Sequence, residues 1–129
     1  MNEELIKNMD EYGYVTYRLN KLLHREDGPA VENTDGYKAW WLKGERYRTD
    51  GPAIIYPNGD KEWYLNGLLH RIDGPAVEWG DGSKEWWVKG RRHRIDGPAV
   101  VYINDISGWY LEGIRYTEED FEDKIKEQK

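Results

Sequence analysis

His70-Arg71-Ile72-Asp73-Gly74-Pro75-Ala76 sets the architecture of this chain. The same text returns as His24 to Ala30, Tyr47 to Ala53 and His93 to Ala99. Its aspartates, Asp27, Asp50, Asp73 and Asp96, stand 23 residues apart at every step, with no insertion. A fixed period of that length is the signature of a repeat array, in which each unit needs its neighbours to bury an apolar face.

Outward from that stretch, each repeat reads as β-structure. Ala53-Ile54-Ile55-Tyr56 is β-branched and aromatic, a strand. Pro57-Asn58-Gly59 is turn chemistry, because Asn and Gly tolerate positive φ. Lys61 to Leu65 is a second strand, Asn66-Gly67 a second tight turn, and Asp73-Gly74-Pro75 bends the chain into the next unit. The turns recur in register: Asp35-Gly36, Asn58-Gly59 and Asp81-Gly82 at one end, Lys43-Gly44, Asn66-Gly67 and Lys89-Gly90 at the other. At Asn104-Asp105 the glycine is lost, which predicts an irregular last hairpin. The expected fold is all-β, a single-layer antiparallel meander of repeated β-hairpins with short terminal helices.

The ends differ from the body. Residues 1–16 are expected to form an N-terminal cap segment, 17–116 the array, and 117–129 a C-terminal capping helix. Asn2 and the acids Glu3 and Glu4 suit the start of a short helix over residues 2–9. Tyr12 to Leu19 alternates as a strand. Thr117-Glu118-Glu119-Asp120 resembles a capping box ahead of Phe121 and Ile125, so residues 118–127 are read as a helix. Arrays need ends that block further stacking, and edge strands need cover.

Composition narrows the function. Hydrophobic content is 38%, most of its bulk in 7 Trp and 10 Tyr, which suits a thin sheet with aromatics on both faces. The net charge is −6, concentrated at the two ends, so the repeat body is nearly neutral. That is poor footing for nucleic acid, whose phosphates require clustered Lys and Arg. Cysteine is absent, which excludes disulfides and thiolate metal sites and suits a reducing compartment. No apolar run approaches the ~20 residues of a membrane span and no signal peptide is visible, so the expected location is cytoplasmic.

Trp63-x-x-Asn66-Gly67-x-x-His70, with a glycine three residues after Arg71, resembles the MORN repeat. Repeats of that family have a similar length and a W-x-x-G-x-x-H-G-x-G pattern, and form arrays of β-hairpins. The resemblance spans residues 17–116. It departs in two respects: Trp to Gly is one residue longer here, and Arg-x-Asp-Gly-Pro-Ala replaces the usual second half. This variant is similar to repeats of phage and giant-virus proteins, and related repeats occur in proteins classed as bacterial antitoxins. The resemblance implies the fold and a binding or scaffolding role, without a particular partner.

His24, His70 and His93 sit beside Arg and near Asp, which invites a metal or catalytic reading. Successive repeats place equivalent atoms about 9.5 Å apart, at ~4.7 Å per strand, whereas two zinc ligands lie only about 3–4 Å from each other. Tyr47 and Tyr116 also replace His in other repeats. Each ring is therefore expected to be packed and to donate a hydrogen bond. Arg25, Arg48, Arg71 and Arg94 are expected to pair with the aspartates in partly buried ladders, each Asp also accepting backbone N–H bonds in its bend. No nucleophile–base set can be assembled and no phosphate loop appears, so neither an enzyme nor a cofactor or metal is expected.

The aromatics remain. Tyr17, Trp40, Trp63, Trp86 and Trp109, with Leu19, Leu42, Leu65, Val88 and Leu111 two residues on, are expected to form the core stripe. The opposite face carries Arg18, Trp41, Tyr64, Trp87 and Tyr110. Two readings of this ladder stand: an exposed recognition strip or a second, self-covered core. Trp41, Tyr64, Trp87 and Tyr110 are the binding candidates, joined by Trp79, which breaks the repeat, and by Arg91 and Arg92 in the most basic turn. The expected function is non-catalytic binding of another protein, in a viral setting the blocking of a host protein in the host cytoplasm. The alternatives are carbohydrate or small-ligand binding through the ladder and antitoxin-like neutralisation of a partner; self-association through edge strands is also open.

Overall fold

A computed structural model describes residues 4–105 and 107–128. Asn2 and Glu3, expected to begin an N-terminal helix, lie outside the described residues, as does Lys129.

Each repeat follows its turn chemistry. Ile54–Ile55 passes through the Asn58-Gly59 turn into Lys61–Glu62, and the two pair antiparallel, Ile54 opposite Glu62. Beyond Trp63 the chain enters a second hairpin, Tyr64–Leu65 with Leu68–Leu69, closed by Asn66-Gly67. Both turn residues have positive φ, 51° and 77°, the geometry that matches the twist of hairpin strands.

The first hairpins of the repeats merge into one antiparallel sheet, nine strands running from Leu5–Met9 at one edge to Val100–Val101 at the other, with Leu22–Leu23 joined to Val15–Leu19 off that path as its tenth. The second hairpins stay separate as two-stranded tips. They are Trp41–Leu42 with Glu45–Arg46, Tyr64–Leu65 with Leu68–Leu69, Trp87–Val88 with Arg91–Arg92, and Trp109–Leu111 with Ile114–Tyr116. Leu19 with Leu22 forms the equivalent first tip. The single-layer meander is thus as the sequence predicts. In the last sheet hairpin, where glycine is missing, the described residues are joined by an isolated bridge between Val100 and Gly108.

The N-terminus departs from expectation. Leu5–Met9 is a strand, paired in full with Val15–Leu19, and no helix forms there. A helix of eight residues is too short to hold by itself. A turn dictates the alternative: Asp10 Oδ1 accepts from the N–H groups of Tyr12 and Tyr14 at 2.9 and 3.0 Å. Tyr12 therefore lies in the turn, and the strand begins at Val15. All five positions of Leu5–Met9 are exposed, so this end extends the sheet without covering it. The other end is covered as expected. Thr117 Oγ1 caps the helix Glu118–Glu127 by accepting from Asp120 N–H at 3.1 Å, and Phe121 is buried against the last hairpin.

The core also differs from the predicted stripe. Its spine is the alanine of each bend, Ala30, Ala53, Ala76 and Ala99, fully buried beside Ala39, Ile54, Val77 and Val100. Their carbonyls accept from the backbone N–H of Tyr17, Trp40, Trp63 and Trp86 at 2.7–2.8 Å. Those rings are half-buried, and Leu65 is 38% exposed. A single layer has no second layer to press on the tips; only Leu111, on the hairpin that meets the helix, is buried among the tip leucines.

The repeated loop is an arginine sandwich. Arg71 Nε donates to Asp73 at 2.9 Å and Nη1 to the Pro75 carbonyl at 3.1 Å. Its Cζ lies 4.0 Å from the Trp63 ring centroid. Gly74 closes the other side, where a Cβ would meet Arg71 Cζ at 2.9 Å. Arg25 on Tyr17, Arg48 on Trp40 and Arg94 on Trp86 repeat the arrangement at 4.1, 3.8 and 3.8 Å. The glycine is required by proximity and not by torsion. Contrary to expectation the aspartates are not partly buried: their side chains are 80–86% exposed, and each meets the Arg of its own repeat. The Arg71 hydrogen bond holds the Asp73 carboxyl below its ordinary range.

Candidate functional site

Cross-strand pairing in the tips sets the geometry of the second ladder. Trp41 stands opposite Arg46, and Trp87 opposite Arg92. Such pairs project to the same side. Arg46 Cζ lies 5.1 Å from the Trp41 ring centroid and 5.3 Å from that of Tyr64 in the next tip. Arg92 lies 5.2 Å from Trp87 and 5.3 Å from Tyr110. Each arginine also donates to the hydroxyl of that Tyr at 3.4 Å. Four of the predicted residues are thereby gathered into two clusters, Trp41–Arg46–Tyr64 and Trp87–Arg92–Tyr110. Their rings are half-buried and engaged by the chain's own guanidinium groups. This lies between the two readings of the ladder, neither a bare strip nor a closed core.

The second cluster is completed by Glu85, only 5% exposed. Its carboxylate accepts from Trp87 Nε1 at 3.2 Å, Trp79 Nε1 at 3.1 Å, and Arg92 Nε and Nη2 at 3.3 and 3.2 Å. Trp79 and Arg92, both candidates from the sequence, are thus brought together with Trp87 around Glu85, and Trp79 keeps 39% of its surface in solvent. Arg91 does not join; it is exposed and lies beside the tip turn at Gly113, where a Cβ would sit 3.6 Å from its own.

The first cluster is built differently. Two repeats before Glu85 the chain has Ala39, and two before Trp79 it has Asn33. Trp41 Nε1 and Arg46 Nε are buried without a hydrogen-bond partner. Glu62 reaches Arg46 through the Tyr64 hydroxyl, which donates to its carboxylate. Burial, then that bond, pushes the Tyr64 phenol well above its ordinary range. Burial and Glu62 push Tyr56 up to about 12. Tyr37 packs edge-on against Tyr14 and Tyr56, 6.2 and 5.7 Å between centroids, and burial raises it as well.

The histidines join the tips to one another. His24, His70 and His93 accept at Nδ1 from the N–H of Lys43, Lys89 and Glu112 at 2.9–3.0 Å. They were expected to donate; instead the ring nitrogen faces the orphan N–H of the next tip turn. Two backbone bonds accompany each one, such as Arg71 N–H to the Trp87 carbonyl at 3.0 Å and Gly90 N–H to that of Leu69 at 2.8 Å. Between the second and third tips all three bonds are absent among the described residues. There Tyr47 replaces His, and a phenol offers no ring nitrogen. Glu45 stands where Leu22, Leu68 and Arg91 cover the neighbouring turn at the other seams: Leu22 lies 3.2 Å from a Cβ built on Gly44, Leu68 3.3 Å from one on Gly90 and Arg91 3.6 Å from one on Gly113, while one on Gly67 would have nothing within 4 Å.

Sequence reasoning passed over Arg46, Glu62 and Glu85. Their signals were present: Arg46 and Arg92 each follow a tip Trp across a two-residue turn, and Glu85 stands where Ala39 stands two repeats earlier. No protein-family model, curated protein or solved structure matches this chain.

Proposed function

We propose that this chain is a non-catalytic protein-binding module. The observation that carries the reading is the alternation of aromatic rings and guanidinium groups along the tips, Trp41–Arg46–Tyr64 and Trp87–Arg92–Tyr110. Trp, Tyr and Arg are the residues that dominate interface energetics, and here hydrogen bonds and stacking hold them in place before any partner arrives, which lowers the cost of ordering them on binding. Exposed Trp79, Tyr102 and Ile103 lie to one side at the sheet turns, Ile72 and Ile95 on the loops. The guanidinium groups lie over the ladder rings, which supports protein over carbohydrate, since a sugar needs an uncovered ring to stack on. The resemblance to MORN-like repeats of phages and giant viruses favours a viral protein that binds and blocks a host protein; an antitoxin-like neutraliser would use the same surface.

The test is affinity capture with the full chain, repeated with Tyr64→Ala and Trp87→Ala, beside a glycan array. A partner retained by the wild type and weakened by about 2 kcal/mol or more by a hot-spot change supports the reading. Capture unaffected by both changes, or specific glycan binding alone, overturns it.

A further inference from the structure

We infer that the open seam between the second and third tips is a carboxylate seat, taking an Asp or Glu side chain of a protein partner. Three observations converge there. The chain contains an occupied copy of the arrangement: in the Trp87–Arg92 cluster the indole N–H and the guanidinium Nε both donate to one buried carboxylate, that of Glu85. In the Trp41–Arg46 cluster the same two donor atoms are buried and unpartnered, and Ala39 holds the position of Glu85. Finally, this seam lacks the histidine link and the two backbone bonds found at the other three.

Chemistry selects the ligand. An indole N–H and a guanidinium N–H are donors without acceptor capacity, and the guanidinium is always charged. A carboxylate is the group that accepts both in the second cluster. Two carboxylates of the chain stand nearby without filling the role. Glu62 is engaged by Tyr64, and Glu45 is exposed on the side of its strand opposite Arg46. Filling the seat requires the second and third tips to part, and among the described residues the hydrogen-bonded link across that seam is the one between Arg46 and Tyr64 at 3.4 Å. That the ligand belongs to a protein rests on the function proposed above; the seat itself does not.

The test uses acetate as the probe and the full chain labelled with 15N, at constant ionic strength set with chloride. The indole N–H signal of Trp41 is identified with Trp41→Phe. It should shift saturably with acetate while that of Trp87 does not. Binding will be weak, because so small a ligand offers few atoms. Arg46→Met should weaken the response by about tenfold or more. In Ala39→Glu the chain supplies its own carboxylate, so the Trp41 signal should move toward that of Trp87 and cease to respond. If that variant does not fold, Arg46→Met decides. A shift that grows without saturation, or one of equal size at Trp87, overturns the seat. A saturable response combined with failed partner capture retains the seat and removes the protein partner; the reverse result retains the protein-binding function alone.

Discussion

The two ladder clusters, two repeats apart, share Trp, Arg and Tyr in the same geometry and differ in what surrounds them. Around Trp87 and Arg92 a buried glutamate collects four N–H donors, and the tips on either side are stitched by histidine and backbone bonds. Around Trp41 and Arg46 the glutamate is an alanine, one flanking histidine is a tyrosine, and among the described residues the seam on that side carries a lone side-chain bond. A repeat thus holds its fold through the elements that every copy keeps, the arginine sandwich and the alanine spine. It acquires local character through those that one copy loses. At that seam Tyr47 stands where the others have His24, His70 and His93, and in that cluster Ala39 stands where the second has Glu85.

Converting one cluster into the other should give the largest effect. Glu85→Ala removes a buried carboxylate and orphans the donors of Trp79, Trp87 and Arg92, a loss of roughly 3–5 kcal/mol for breaking a buried charged network. Urea denaturation should show a lower midpoint; an unchanged one would mean the two clusters are equivalent in energy.

Next come changes to what the clusters' repeats share. Gly74→Val drives a Cβ into Arg71 and should displace the guanidinium from Trp63, at about 1–3 kcal/mol. Gly51→Val faces Arg48 at 3.0 Å and should cost as much. Thermal melting of both variants checks this, and a large difference between them would show that the sandwich is not the common element.

Smaller still is the seam itself. Tyr47→His restores an acceptor opposite Asn66 and should add about 1 kcal/mol, while His70→Tyr removes an equivalent bond and should cost about as much. Hydrogen exchange at the Asn66 and Arg48 amides should slow in the first variant. Unaltered exchange there would show that Tyr47 is not what holds the seam open.

The smallest effect belongs to the exposed aspartates. Because the Asp73 carboxyl is held below its ordinary value of 3.8, the stability it adds is present above that pH and is lost as the pH falls below it. The pair is solvent-exposed and screened by salt. Asp73→Asn should therefore leave the melting temperature nearly unchanged at neutral pH in high salt, and a large drop would mean that the aspartate serves the bend through its backbone contacts.

By itself the sequence determined what local chemistry decides. The period fixed the number of units, Asn-Gly and its relatives placed the turns, the missing glycine at Asn104-Asp105 located the irregular hairpin, and Thr117 with Asp120 positioned the helix. These depend on backbone torsions and capping groups within a few residues. The tertiary structure decided the rest. Alternation along a strand separated two faces but could not say that alanines and not tryptophans form the spine, since burial depends on what packs above a face and a single layer leaves most of the tips half-open. Residues 5–9 became a strand because a partner lay across the Asp10 turn, a long-range bond that outweighs a short helix. The roles of Arg46 and Glu85 stayed hidden for the same reason: each is defined by neighbours in other strands and other repeats, and only the register between them brings donor and acceptor together.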